Sequence, residues 1–284
     1  MAEPLPLRLS EIKDLPTLPS MAAAALAVAE DPSSTASDLL RVILSDPPIA
    51  ARVLRVANSV YFQRASGGEV TDLQTAIVRL GFSNVRNLLM GVSVIRSFNS
   101  FFVDSPYTRE DFWIHCISVG SLAGRLSHSD ERLSSSTVFV GGLLHDMGKL
   151  VLDHFHRDAF THALRLAQGE GLPLHEAERL RFGSDHAAIA GELLYKWRFP
   201  RELSDPVRWH HDPEKCPERH RLHAKLVQVA DYICDSRRIG YSGNDHPVEP
   251  PARYFTELKI DEALIEAHVD ALRNEPLLVA LIPA

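Results

Sequence analysis

Cysteine is scarce: three residues, Cys116, Cys216 and Cys234, in a chain of 284, with no CxxC pair. An odd count without that spacing excludes a disulfide framework or a zinc knuckle and predicts reduced thiols. Basic charge is also in deficit, with 30 Lys and Arg against 37 Asp and Glu and a net charge of −7. A general electrostatic grip on nucleic acid or on an anionic membrane is therefore excluded. No apolar run approaches the roughly 20 residues that span a bilayer. The opening stretch, MAEPLPLRLSEIKDLPTLPS, has no apolar run behind a basic start. It does not read as a secretory signal, and the expected location is the cytoplasm. Alternating strand-like stretches are nearly missing, as are internal repeats and low-complexity segments.

What remains is helical periodicity, in a composition (45% hydrophobic, 24% charged) that can bury a core without staples. Apolar spacing predicts helices over residues 21–30, 37–44, 49–56, 72–81 and 83–98. In that part Asp46 serves as a helix cap ahead of Pro47, and Gly81 as a C-cap. A break is expected at Asp104-Ser105-Pro106. Beyond it helices are expected over 110–126, 136–152, 158–168, 175–182, 185–197, 202–210 and 220–237. A loop over 245–251 precedes a last helix over 261–273. The expected fold class is all-α.

Histidine is abundant, with fourteen residues, and placement matters more than number. His115 sits in the apolar stretch Phe112-Trp113-Ile114-His115-Cys116. His145 and Asp146 follow Val140-Gly141-Gly142-Leu143-Leu144, with Lys149 three residues on. His186 follows Asp185 at a helix start, His210-His211-Asp212 ends a helix at Pro213, and Asp231 interrupts Leu226-Val227-Gln228-Val229-Ala230. An unpaired polar group on an apolar helical face is costly to bury. Imidazole and carboxylate together form a ligand set suited to iron, manganese, zinc or nickel, and helix bundles often house such sites. Each residue also has a plainer role: a hydrogen-bonded core histidine for His115, a metal-free His-Asp pair for His145 and Asp146, a helix start for His186, and a salt-bridged carboxylate for Asp231. A solvated helix end is the ordinary role of Lys149 and of one of His210 and His211. The remaining histidines, among them His128, His154, His156, His162, His175, His220 and His223, are expected at the surface. Phe112, Trp113 and Trp197 are expected in the core.

The order histidine, His-Asp, further histidines, late aspartate resembles the HD superfamily. Leu15-Pro16-Thr17-Leu18-Pro19, the stretch from Asp46-Pro47-Pro48 to Ala57-Asn58-Ser59, and Ala76-Ile77-Val78-Arg79-Leu80-Gly81 resemble its HDOD subgroup, over roughly residues 10–235. The resemblance implies an N-terminal helical subdomain, residues 1–104, packed on an HD-like helical subdomain, 105–238, with a C-terminal extension over 239–284. It implies one or two divalent metals, of unspecified identity. His115, His145, Asp146 and Asp231 would hold one, and His186, His210 and His211 a second, with Asp146 bridging. The family's chemistry is phosphoester hydrolysis, in which His186, His210 and Lys149 would act on a nucleotide or cyclic dinucleotide phosphoester, and a nucleotide or phosphate is the implied ligand. HDOD proteins are generally regulatory, which implies bacterial signal transduction through a protein partner. Where the related HD-GYP subgroup carries its Gly-Tyr-Pro loop after the paired histidines, this chain reads Asp212-Pro213-Glu214-Lys215-Cys216-Pro217, which weighs against cyclic di-GMP hydrolysis.

Overall fold

Short polar side chains punctuate the chain at helix starts. Asp46, Asp72, Thr108, Ser134 and Asp185 each accept a hydrogen bond from a backbone N–H in the first turn of the helix that follows, satisfying donors that the helix itself cannot. Gly81, at φ +88°, ends one helix by donating to Ile77 O and opens the next. The computed structural model describes residues 15–58, 69–98, 101–102 and 105–273. The expected Ser59 and Gly67-Gly68 turn, and Asp104 of the expected break, lie outside these residues.

Among the described residues there are fifteen α-helices and no strand, so the all-α expectation holds. Five helices form the N-terminal part: α1 (Ser20–Glu30), α2 (Ala36–Leu44), α3 (Pro47–Ala57), α4 (Leu73–Leu80) and α5 (Phe82–Ser97). The next group is α6 (Arg109–Leu126), α7 (Ser135–Leu144), α8 (Met147–Phe155), α9 (Arg157–Glu170), α10 (Leu174–Phe182), α11 (His186–Lys196), α12 (Arg201–Trp209) and α13 (Glu218–Ser236). Two short helices close the described chain, α14 (Ala252–Leu258) and α15 (Glu262–Arg273).

One cluster of buried apolar side chains runs from Met21 on α1 to Val207 on α12. The first five helices therefore share a core with those that follow, and α5 packs directly on α7. Phe112, Trp113 and Phe98 are fully buried within it, each contributing about 1.5–3 kcal/mol by burial. A second cluster joins α6 and α13 to α14 and α15.

The centre of the later group is the contact of α6 with α7. A Cβ on Gly142 would lie 2.6 Å from Gly120 N, and one on Gly120 would lie 2.6 Å from Phe139 O. Only glycine lets these backbones meet. The expected single helix over 136–152 is instead two. The α7 helix ends at Leu144, Asp146 turns the chain at φ −94°, ψ 0°, and α8 begins at Met147. Gly148 is the reason the new direction is available. A Cβ there would lie 2.0 Å from His186 O, so α8 rests on the start of α11 only because position 148 is bare. The break leaves His145 and Asp146 at a junction rather than along a helix face.

Candidate metal centre

Six elements deliver side chains to one buried point. The α6 helix carries His115, the α7–α8 junction carries His145 and Asp146, and α8 carries Lys149. His186 is the first residue of α11, His210 and His211 follow α12, and α13 contributes Asp231. His115, His145 and His210 are completely buried, and Asp146, His186 and Asp231 nearly so. His115 Nε2 is 3.1 Å from Asp231 Oδ1 and 3.7 Å from Asp146 Oδ2. His145 Nε2 is 3.3 Å from Asp231 Oδ1 and 3.4 Å from Asp146 Oδ2. His186 Nε2 faces Asp146 Oδ1 at 3.1 Å and His211 Nε2 at 2.9 Å. All seven residues singled out as ligands are thus brought together.

The far nitrogens of the rings explain their orientation. His145 Nδ1 lies 2.6 Å from Gly142 O, and His210 Nδ1 lies 2.8 Å from Val207 O. A carbonyl oxygen only accepts, so Nδ1 carries the proton in both and Nε2 offers its lone pair when the ring is neutral. His186 Nδ1 is 2.6 Å from Glu178 Oε2, which also accepts the His186 backbone N–H at 2.8 Å. His115 Nδ1 lies 3.5 Å from Asp235 Oδ1. Three imidazoles, His145, His186 and His210, are thus hydrogen-bonded at Nδ1 to a carbonyl or a carboxylate and turn Nε2 inward, the support that metal-bound histidines generally have, while His115 Nδ1 only faces the Asp235 carboxylate.

A divalent cation fits this arrangement. His210 Nε2 is buried with no hydrogen-bond partner, an expensive state unless something else occupies the lone pair, and His145 Nε2 meets only the two carboxylates, at 3.3 and 3.4 Å. One donor atom from each of His115, His145 and Asp146 lies within 4.8 Å of the others, and the same holds for His145, His210 and Asp231 and for His186, His210 and His211.

Charge in the cluster is balanced by protons. Burial opposes a charged His145, but Asp146 and Asp231 outweigh it and lift its pKa to about 10. His186 is likewise opposed by burial and raised, chiefly by Glu178, to about 9. Burial, reinforced by His145 and His186, pushes His210 down to about 3. His211 is also held well below its ordinary value by burial and by His175, His210 and His186. Burial would raise the Asp146 and Asp231 carboxyls, but His145 outweighs it and holds both well below the usual carboxylate range, with Lys149 adding to the effect at Asp146. Asp235 is raised to about 6 by burial and the Asp231 carboxylate. A cation bound here would take the place of imidazole protons.

Lys149 lies inside the cluster. Its ammonium is buried, donating to Asp146 Oδ2 at 2.7 Å and to Ser242 Oγ at 3.0 Å. Four surface expectations are corrected, His156 and His223 being half-buried. His175 is buried and stacks on His211 with ring centroids 4.0 Å apart, and His220 is buried against Asp205 Oδ2 at 2.7 Å. His128, His154 and His162 are exposed as expected. Sequence reasoning missed Glu178 and Asp235. A glutamate one turn from a helix end carries no local mark of its role, and Asp235 could have been found only from its position one turn after Asp231.

The arrangement has counterparts. A family model described as the HDOD domain matches residues 15–213. The chain belongs to the HDOD family. Its HDOD segment ends before α13, so Asp231 and Asp235 come from beyond it. A solved HDOD domain protein of unknown function from Geobacter sulfurreducens has a TM-score of 0.73 at 24% identity, covering 96% of this chain and 94% of that one. A Marinobacter aquaeolei VT8 protein, provisionally named for signal transduction, has a TM-score of 0.73 at 25% identity, covering 99% of this chain and 62% of that one. A Shewanella amazonensis SB2B protein, provisionally named a metal-dependent phosphohydrolase, shares the fold with a TM-score of 0.63 at 20% identity, over 94% of this chain and 92% of that one. An uncharacterised protein of Treponema pallidum (strain Nichols) is 24% identical over 222 residues, 78% of this chain and 42% of that protein. The HDOD chain thus spans less than half the length of that curated relative. No helix among its described residues is long and apolar enough to cross a membrane.

Proposed function

We propose that this HDOD chain is a regulatory module of bacterial signal transduction whose HD-type site holds one or two divalent metals, and that it acts through a protein partner rather than by turnover. The observation that carries the metal half is the inward set of imidazoles around Asp146 and Asp231, with His210 Nε2 buried and without a hydrogen-bond partner. His115, His145, Asp146 and Asp231 would hold one ion, and His186, His210 and His211 a second, with Asp146 shared. In this reading residues 1–104 and 105–238 are the two halves of the signalling unit, and 239–284 an extension.

The regulatory half rests on access. The cluster reaches solvent through a cavity of about 190 Å³ at Asp231 and His211, walled by His175, Arg179, Asn244 and Val248 among others. Sites for small organic molecules are typically about 300–1,000 Å³, so this opening is small for a nucleotide. The signal-transduction naming of the Marinobacter relative agrees with this reading.

A second reading, a metal-dependent phosphohydrolase, is favoured by the complete ligand set and by Lys149 beside Asp146. A bound divalent metal supplies Lewis acidity and neutralises phosphate charge. His186 and His210 would orient phosphate oxygens, and Lys149 would add positive charge. A turnover assay separates the two. The metal-loaded chain is offered nucleoside monophosphates, cyclic dinucleotides and a chromogenic phosphodiester. The regulatory reading expects no enzyme-like rate, and hydrolysis on the order of 1 per second or faster would replace it with the second.

A further inference from the structure

After α13 the chain turns back across the metal cluster. Residues 240–248, outside the HDOD match, are anchored on four elements around the site. Gly240 adopts φ +69° and lies so close to α6 that a Cβ would sit 2.3 Å from His115 N. The next N–H, of Tyr241, donates to Asp111 O at 3.1 Å. Ser242 is fully buried, and its hydroxyl accepts from Lys149 Nζ on α8 at 3.0 Å. Asn244 donates from Nδ2 to Asp235 Oδ2 on α13 at 2.7 Å, and its Oδ1 accepts the Leu174 N–H of α10 at 3.4 Å. Pro247 and Val248 then complete the cavity wall opposite Asp231 and His211.

We propose that residues 240–248 form a fixed plug that sets the size of what reaches the metal centre, admitting a single small oxyanion such as inorganic phosphate and excluding a nucleotide. The proposal builds on the metal reading above. Two of the plug's anchors are hydrogen bonds to charged groups, Lys149 and Asp235, which hold more strongly than neutral pairs. The same two groups belong to the cluster, Lys149 through Asp146 and Asp235 through His115. Displacing the plug would therefore disturb the ligands themselves, so it acts as a wall of the site. The cavity it leaves, about 190 Å³, is below the roughly 300–1,000 Å³ typical of sites for small organic molecules, which favours a small oxyanion over a nucleotide.

The test uses the full chain in two measurements. Amide exchange of the metal-free protein comes first. The Tyr241 amide, which donates to Asp111 O, is expected to exchange as slowly as the flanking end of α13, and fast exchange there overturns the plug whatever the metal content. The second is the phosphorus relaxation of inorganic phosphate and of adenosine monophosphate with manganese-loaded protein. Wild type is expected to enhance relaxation of phosphate alone. Asn244→Ala removes both side-chain hydrogen bonds and is expected to raise the nucleotide's enhancement about tenfold, with Ser242→Ala shifting it in the same direction. Equal enhancement of both probes by wild type, or of neither, overturns the proposal. So does an Asn244→Ala chain whose Tyr241 amide exchanges fast yet which still excludes the nucleotide. Manganese content is measured beforehand. A chain that takes up none contradicts the metal reading, and the plug is then decided by exchange alone.

Discussion

At the scale of single residues, the site is organised by what stands behind each ligand. Glu178 illustrates this. Fully buried, it accepts both the ring and the backbone N–H of His186, fixing which nitrogen His186 turns inward. Outer carboxylates of this kind are worth roughly 10–100-fold in metal affinity. Glu178→Gln keeps an acceptor for the backbone N–H but loses the charge, so metal affinity should fall by about that factor. The metal-free thermal midpoint should fall as well, because the buried His186–Glu178 pair loses its charge. A chelator competition titration measures the first and a melt the second, and unchanged affinity would remove Glu178 from the site's support. Of the seven candidate ligands, His115, His145, Asp146 and Asp231 were legible as polar residues set in apolar runs, whereas His186, His210 and His211 lie in polar stretches and came only with the residue order that resembles the HD superfamily. Their supports were not legible. Gly142 O and Val207 O are backbone atoms with no residue signature, and Glu178 sits in a polar stretch that reads as ordinary helix surface.

At the scale of elements, the spacing between α6 and α7 decides whether His115 and the His145-Asp146 pair can share a point. Gly142→Ala puts a methyl group 2.6 Å from Gly120 N, and the helices must part. Overpacking of this kind costs about 1–3 kcal/mol. The account expects the denaturant midpoint to drop accordingly and metal affinity to weaken in the same variant. A midpoint equal to wild type would mean that the contact is looser than the structure has it. Helix existence was largely readable from apolar periodicity and capping residues such as Asp46, Asp72 and Asp185. The division of the expected helix over 136–152 was not. Its apolar pattern continues through the junction, and the cause lies in a tertiary contact of Gly148 with His186. The short α14 was likewise hidden, because Ala252–Leu258 is too brief to carry a period.

At the scale of the whole molecule, the histidines held neutral by burial govern acid stability. His223 accepts the Ser134 N–H at 3.3 Å, and burial, with His220 nearby, pushes its pKa down to about 4. His175 is lowered to about 4 by burial and by His186. Above the ordinary value of 6.5 both states are neutral and nothing changes with pH. As pH falls from 6.5 toward 4 the unfolded chain takes up protons that the folded chain refuses, so stability declines. The metal-free protein should therefore lose unfolding free energy across that window, and His223→Gln should show a shallower decline. An identical slope in the two chains would show that His223 does not contribute. That the N-terminal helices pack on the later ones was implied by the HDOD resemblance, but which apolar faces meet was not readable. Periodicity assigns apolar faces but does not pair Met21 on α1 with Val207 on α12 in one cluster.

The central claim is that these buried side chains are metal ligands. It is tested most directly by elemental analysis of the untagged chain, purified without added metal, beside Asp146→Ala. The account predicts one or two divalent ions per wild-type chain, lost in the variant while its helical content persists. No metal in the wild type even after anaerobic loading, or equal metal in both proteins, would contradict it and leave a buried network of histidines and carboxylates held together by protons.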